Sequence, residues 1–165
     1  MVWVPYVTCL VGTFDLTART VTYTNAGHPP GIVVGRRGIH HLNRGGPPAG
    51  LLPDAQFDQD RLQLHVGDVC LLVTDGVTEA LEGDVPLERA VEASRDHHGA
   101  RSAAALCQAV MARALAGHGP PEAKDWNDDR TVVVATVSER PAATLDRVAI
   151  QTAMQRAWIE DGAIP

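Results

Sequence analysis

Two runs of apolar, β-branched residues constrain this chain more than any other feature. Val69-Cys70-Leu71-Leu72-Val73-Thr74 and Thr131-Val132-Val133-Val134-Ala135-Thr136-Val137 show no alternation between polar and apolar side chains. A strand wetted on one face alternates, whereas a run that stays apolar belongs to a strand covered on both faces. The chain must therefore place a sheet between two other layers. Each run also meets an aspartate at one end. Asp75-Gly76 follows the first, and Asn127-Asp128-Asp129-Arg130 leads into the second. The end of a core-lining strand is a costly place for unpaired charge. Carboxylates held there converge readily on a hard cation such as Mg²⁺ or Mn²⁺, and a bound pair of such cations activates water against a phosphate ester.

The flanking sequence supplies the other layers. Tyr6 to Phe14 is rich in strand formers, Asp15 to Arg19 reads as a turn, and Thr20 to Asn25 alternates as the returning arm of a hairpin. Ala26-Gly27-His28-Pro29-Pro30 breaks that arm, Gly31 to Val34 forms a short strand, and Ile39 to Leu42 pairs back across the turn Gly35–Gly38. Gly45 to Gly50 is a loop. Between Phe57 and Val66, Leu62, Leu64 and Val66 share one side, and Gly67-Asp68 turns the chain into the first apolar run. Leu87, Ala90, Val91 and Ser94 fall at helical spacing, and Ser102 is a fitting N-cap for a helix over Ala103–Ala116. Thr144 to Ile159 reads as an amphipathic helix. Strands first, helices next and a late strand predict an α+β fold rather than strict βαβ alternation. The expected division is one domain over 1–140 and a C-terminal helical extension over 141–165.

Bulk composition narrows the function. At 165 residues and 45% hydrophobic content the chain can bury a core. Its net charge of −6 disfavours a nucleic-acid partner and does little to attract anionic lipid. No apolar run is long enough to span a bilayer, and the N-terminus lacks the basic start and apolar stretch of a signal peptide. Cys9, Cys70 and Cys107 are scattered, odd in number and without a CxxC pair, so they read as reduced thiols in apolar segments. Together these features predict a cytoplasmic protein.

The polar motifs each admit two readings. Asp75-Gly76 also serves as a common turn pair with no chemistry. Asp128-Asp129 also suits a solvated loop. In Asn25-Ala26-Gly27-His28-Pro29-Pro30, His28 suits a metal ligand or an acid/base group. The two prolines equally suit a rigid turn whose Asn25 and His28 bond to neighbouring loops.

The ordered set of these motifs carries a family resemblance. Asn25-Ala26-Gly27-His28-Pro29-Pro30, Gly46-Pro47-Pro48-Ala49-Gly50-Leu51, Gly67-Asp68, Thr74-Asp75-Gly76-Val77-Thr78-Glu79-Ala80 and Asp128-Asp129-Arg130-Thr131 resemble the bacterial branch of metal-dependent serine/threonine phosphatases. This is the PPM type, in the subfamily named after stage II sporulation protein E, and the match runs from about Tyr6 to Val137. The resemblance implies a β-sandwich flanked by helices with a two-metal Mn²⁺ or Mg²⁺ site at one end. It implies that Asp75 and Asp128 are metal ligands, with Gly76 and Asp129 in or beside the coordination sphere. It further implies that a metal-activated water attacks phosphoserine or phosphothreonine on a regulatory protein, such as an anti-sigma-factor antagonist, without a covalent intermediate. One family motif has no counterpart here, a Gly-Asp-Val-x-Gly-His-Gly-like turn upstream of the first hairpin whose Asp contacts both metals. The resemblance therefore implies the C-terminal part of a phosphatase domain, lacking N-terminal strands and the first metal motif, and weak or inactive alone. The alternative is a non-catalytic regulatory module built on the same fold.

Overall fold

The computed structural model describes residues 5–81, 87–89, 91–92, 102–116, 129–139 and 153–155. In chain order the elements are β1 (Cys9–Asp15), β2 (Thr20–Ala26), β3 (Gly31–Gly35), β4 (Gly38–Leu42), β5 (Gly45–Gly46), β6 (Asp60–Gln63), β7 (Val69–Val73), α1 (Asp75–Leu81), α2 (Ala103–Ala116), β8 (Arg130–Thr136) and β9 (Ala153–Gln155). Residues 87–89 and 91–92 are also helical. The fold class is α+β, as the order of patterns predicts.

The strands form two sheets. In the first, β2 lies between β1 on one side and β5 and β6 on the other, with β6 antiparallel to Thr20–Tyr23 and β5 parallel to Asn25-Ala26. The second is antiparallel throughout, in the order β4-β3-β7-β8-β9. The two apolar runs are thus the neighbouring strands β7 and β8, with Val73 opposite Val132 and Val69 opposite Thr136.

Both faces of the second sheet are covered. Ile32, Val34, Val69, Leu71, Val73, Val132 and Val134 face one core, closed by Val77 and Leu81 of α1 and by Leu106, Val110 and Ala114 of α2. Val33, Leu42 and Cys70 face the other core, shared with Val21 and Tyr23 of β2 and with Leu64. Sheet packs on sheet, and helices pack on the outer face of the second sheet. Burial of each such Val, Leu or Ile contributes roughly 1.5–3 kcal/mol. The continuous apolar character of β7 is the direct consequence of this two-sided cover. Ser102 caps α2 as its position suggests, its Oγ accepting the Ala105 N–H at 3.2 Å.

Three differences from the sequence reading have physical causes. Asp75-Gly76 opens helix α1 instead of making a turn. The helix buries Val77, Ala80 and Leu81 at helical spacing, but its seven residues are too few for a periodicity to be read. Gly45-Gly46, inside the expected loop, pairs with Asn25-Ala26 because a glycine pair lets two backbones approach closely. Within the segment expected to be a helix over Thr144–Ile159, Ala153–Gln155 instead extends the second sheet as β9 beside β8. The remainder of 141–165 lies outside the described residues.

Candidate functional site

The register of the second sheet sets what meets at its end. β7 and β8 run antiparallel, so the C-terminal end of β7 lies beside the N-terminal end of β8. β3 is antiparallel to β7, with Ile32 opposite Leu71, so the segment leading into β3 arrives at the same end. Asp75, Asp129 and the turn ending at Pro30 therefore occupy one end of one sheet.

Thr74 locks the first two together. Its backbone N–H donates to the Thr131 carbonyl at 3.1 Å. Its hydroxyl accepts the Thr131 N–H at 2.9 Å and donates to the Asp129 carbonyl at 2.9 Å. One side chain thus continues the β7–β8 ladder beyond the last paired strand residue and holds the backbone of Asp129. Arg130 anchors the same junction from the other side, donating from Nη1 to the Ala114 carbonyl at 3.0 Å. A guanidinium at the last turn of α2 satisfies a carbonyl left open by the helix and complements its dipole. In the sequence, Thr74 and Arg130 stand only as members of the motifs that flank Asp75 and Asp129. The available signal was a hydroxyl between an apolar run and an Asp, and a cation at the first position of a buried strand.

Asp75 is exposed and stands in the first turn of α1, where a negative charge is favoured. Its Oδ1 accepts the N–H of Gly76 at 3.1 Å, and Gly76 itself is buried. Asp129 is exposed at the mouth of β8. Asp128, the second ligand implied by the family resemblance, lies outside the described residues. Among the described residues no group of three or more His, Cys, Asp or Glu side chains gathers as a metal cage. The donors that are described fit a divalent cation in kind: exposed carboxylate oxygens on rigid strand ends, the ligand chemistry preferred by Mg²⁺ and Mn²⁺.

The Asn25–His28 segment is a clasp. The Asn25 side chain is buried, and its Oδ1 accepts the His28 N–H at 2.8 Å. Its Nδ2 donates to the carbonyls of His28 at 2.9 Å and Leu42 at 3.1 Å. The last contact ties β2 of the first sheet to β4 of the second. Gly27 sits in the left-handed region at φ 70°, and a Cβ there would press on the Pro48 ring at 2.6 Å. His28 is half-buried, with Nδ1 3.4 Å from the Thr8 hydroxyl. Geometry thus gives Asn25 a structural task and leaves the His28 ring beside Thr8, near the start of β1.

Burial alone pushes the Cys70 thiol up to about 12, so this cysteine stays protonated and inert between the sheets. Cys107 is also buried, and Cys9 is half-buried. Among the described residues no helix is long and apolar enough to cross a membrane.

Residues 4–138 match the family model of stage II sporulation protein E. Protein IcfG of Synechocystis sp. is 36% identical over 76 residues, spanning 46% of this chain and 12% of that protein. Phosphoserine phosphatase RsbP of Bacillus subtilis is 33% identical over 75 residues, spanning 45% of this chain and 19% of RsbP. The phosphatase domain of the cell fate determinant SpoIIE from Bacillus subtilis, in crystals presoaked with Mn, superposes with a TM-score of 0.59 at 15% identity. That superposition covers 81% of this chain and 58% of the solved one. The chain therefore spans only a minor part of these relatives' length and little more than half of the solved domain. Fold, ordered motifs and family match agree, and the chain belongs to the stage II sporulation protein E family of PPM-type phosphatase domains.

Proposed function

We propose that this chain is the part of a metal-dependent protein serine/threonine phosphatase domain that supplies Asp75 and Asp128 as ligands for Mn²⁺ or Mg²⁺, with Gly76 and Asp129 beside them. The observation that carries this reading is the Thr74 clasp, which fastens the backbone next to Asp75 to the carbonyl of Asp129 at one sheet end. Bound there, divalent cations lower the pKa of water and offset charge on the phosphoryl oxygens. The chain's own residues do the positioning. Asp75 and Asp128 present the carboxylates, Thr74 holds the two strand ends at a fixed spacing, and Arg130 braces β8 against α2. The substrate is phosphoserine or phosphothreonine on a regulatory protein, of the anti-sigma-factor antagonist type, and the protein works in the cytoplasm. The phosphoserine phosphatase RsbP among the relatives supports the phosphoserine assignment. The family match over 4–138 supports a phosphatase unit that ends near residue 140, followed by a C-terminal extension whose Ala153–Gln155 adds β9 to the edge of the second sheet.

The alternative reading is a non-catalytic binding module on the phosphatase fold. Residues 1–165 contain no counterpart of the Gly-Asp-Val-x-Gly-His-Gly-like motif whose Asp contacts both metals in the family. We expect residues 1–165 alone to bind Mn²⁺ yet to release little or no phosphate from a phosphoserine peptide. Mn²⁺ at about 100 times its Kd should raise unfolding stability by about 2.7 kcal/mol, and Asp75→Asn should abolish that gain. Joining a segment that carries the Gly-Asp motif should bring Mn²⁺-dependent turnover, lost again in Asp75→Asn. Stability indifferent to Mn²⁺, or equally Mn²⁺-dependent in Asp75→Asn, would overturn the metal assignment. Rapid turnover by residues 1–165, lost in Asp128→Asn, would show that another residue of this chain completes the site. An inactive extended chain that still binds Mn²⁺ would favour the binding module.

A further inference from the structure

A cavity of about 230 Å³ lies on the outer, helix-covered side of the second sheet, at the end that carries Asp75. Ile32 of β3 and His41 of β4, opposite one another in the register, line it from the sheet. Thr78 and Leu81 line it from α1, and Leu87 and Glu88 from the next helical segment. Pro30, which leads into β3, is exposed, as is His41, so the cavity opens to solvent. Its polar groups are already engaged. Thr78 donates its hydroxyl proton to the Asp75 carbonyl at 2.9 Å, and His41 Nε2 lies 3.6 Å from Glu88 Oε1. What remains for a visitor is the apolar surface of Pro30, Ile32, Leu81 and Leu87.

Resting on the phosphatase reading of Asp75, we infer that this cavity takes an apolar side chain of the phosphoprotein, two positions from the phosphoserine. Three observations select that occupant. The first is size. At about 230 Å³ the cavity falls below the roughly 300–1,000 Å³ of sites that enclose a whole small molecule, yet it has room for one Leu, Ile or Met side chain. The second is place. Thr78 and Leu81 stand three and six residues along α1 from Asp75, a rise of about 4.5 and 9 Å. In an extended peptide, residues two apart share a face and lie about 6.6 Å from one another. A peptide with its phosphoserine at the Asp75 end therefore brings the side chain two positions away to the cavity. The third is chemistry. The lining holds no unpaired cation to recruit a second phosphate, and an apolar side chain loses nothing by leaving water for Ile32, Leu81 and Leu87. Leu81 and Ile32 thus serve twice, in the core that seats α1 and in the wall that reads the substrate.

The test titrates Mn²⁺-loaded residues 1–165 into fluorescent peptides that carry one phosphoserine in a Gly-Ala background. Leu replaces Ala two positions before or two positions after the phosphoserine. On one of the two sides Leu should tighten binding by about tenfold or more, the effect of burying one such side chain. The same Leu peptide without phosphate, or without Mn²⁺, should bind more weakly. Thr78→Phe fills the cavity and should erase the Leu gain, leaving the Ala peptide, the circular dichroism and the Mn²⁺ effect on stability unchanged. A diazirine analogue of Leu at the favoured position should cross-link to Leu81 or Leu87, a readout that serves even where affinity is low. Mn²⁺-dependent binding of the phosphopeptide that is indifferent to Leu overturns the cavity's role and leaves the phosphatase reading standing. A Leu preference that ignores both phosphate and Mn²⁺ overturns the substrate assignment through the metal site, whose failure the Mn²⁺ effect on stability reports separately. Cross-links confined to other residues, or none at all, overturn the inference too.

Discussion

Replacing Asn25 probes the joint between the two sheets most directly. Its side chain is 5% exposed and makes three hydrogen bonds, two of them to the turn at His28 and one to Leu42, itself 1% exposed. Asn25→Ala removes all three and takes these partners from the half-buried His28 N–H and the buried Leu42 carbonyl. A net hydrogen bond is worth about 0.5–1.5 kcal/mol and an orphaned buried group costs about 1–3 kcal/mol. The loss should be about 2–4 kcal/mol, a large share of the roughly 5–15 kcal/mol that holds a domain folded. Asn25→Asp is the sharper variant. It keeps the acceptor for the His28 N–H but turns the donor into a second acceptor facing two carbonyl oxygens. Near neutral pH it should be at least about 1 kcal/mol worse than Asn25→Ala. The two carbonyls hold the folded-state pKa of this new carboxyl above its unfolded value near 3.9. Its protonated form, able to donate to one carbonyl, is therefore favoured by folding. That contribution is complete below the unfolded pKa and lost as pH rises through the folded one. The deficit against Asn25→Ala should thus shrink on acidification. Urea unfolding followed by far-ultraviolet circular dichroism at neutral and mildly acidic pH measures both effects. If Asn25→Ala stays within about 0.5 kcal/mol of wild type, or Asn25→Asp is no worse than Asn25→Ala at neutral pH, the clasp does not bear the joint.

Two further outcomes follow from the same contacts. Thr74→Val deletes the hydroxyl that links Thr131 and Asp129 and should cost about 1–2 kcal/mol, while Thr74→Ser should retain most of it. Mn²⁺ affinity should follow the same order, and equal behaviour of Val and Ser would remove the clasp from the site. Burial raises the Cys70 thiol from 9.0 to about 12, so its contribution to stability is complete below pH 9.0 and lost as pH rises toward 12. Unfolding free energy should fall there by about 1.4 kcal/mol per pH unit from this group. Tyr23, also raised by burial, adds a slope of the same sign. Cys70→Ala should remove only the Cys70 part, and an unchanged slope would refute the assignment.

The parts of the fold visible in the sequence are those in which one residue's environment repeats at a fixed period. β2, β3 and β4 emerge within a residue or two of their expected bounds, because β-branched and aromatic residues are bracketed by Gly, Pro and Asp turns. The α2 helix is delimited by Ser102 and by its run of Ala, Leu and Val. What escaped the sequence is set by partners far away in the chain. α1 is helical because Val77, Ala80 and Leu81 find a core already built by β7, β8 and α2, a tertiary fact that seven residues cannot advertise. β5 is a strand only because Asn25-Ala26 lies beside it, and β9 only because β8 has a free side. The Thr74 hydroxyl is one of many in the chain, and its neighbours 55 and 57 residues later are what single it out.

The end of the second sheet is a different case, because its location follows from topology before any contact is known. A strand apolar at every position belongs to a sheet covered on both faces. Two such strands in a small sheet have few places to be except side by side. If they run antiparallel, residues just after the first and just before the second share an end. Asp75 follows β7, and Asp129 precedes β8, with Val73 opposite Val132 as the last pair between them. The alternative, a parallel β7–β8 pair, would have separated the two acidic motifs by the whole length of the strands, about 3.3 Å per residue. The chain direction of one strand pair thus decides between two unrelated polar loops and a single site. The Thr74 hydroxyl, bonded across that pair to Asp129, is the local contact that turns the shared end into a fixed distance.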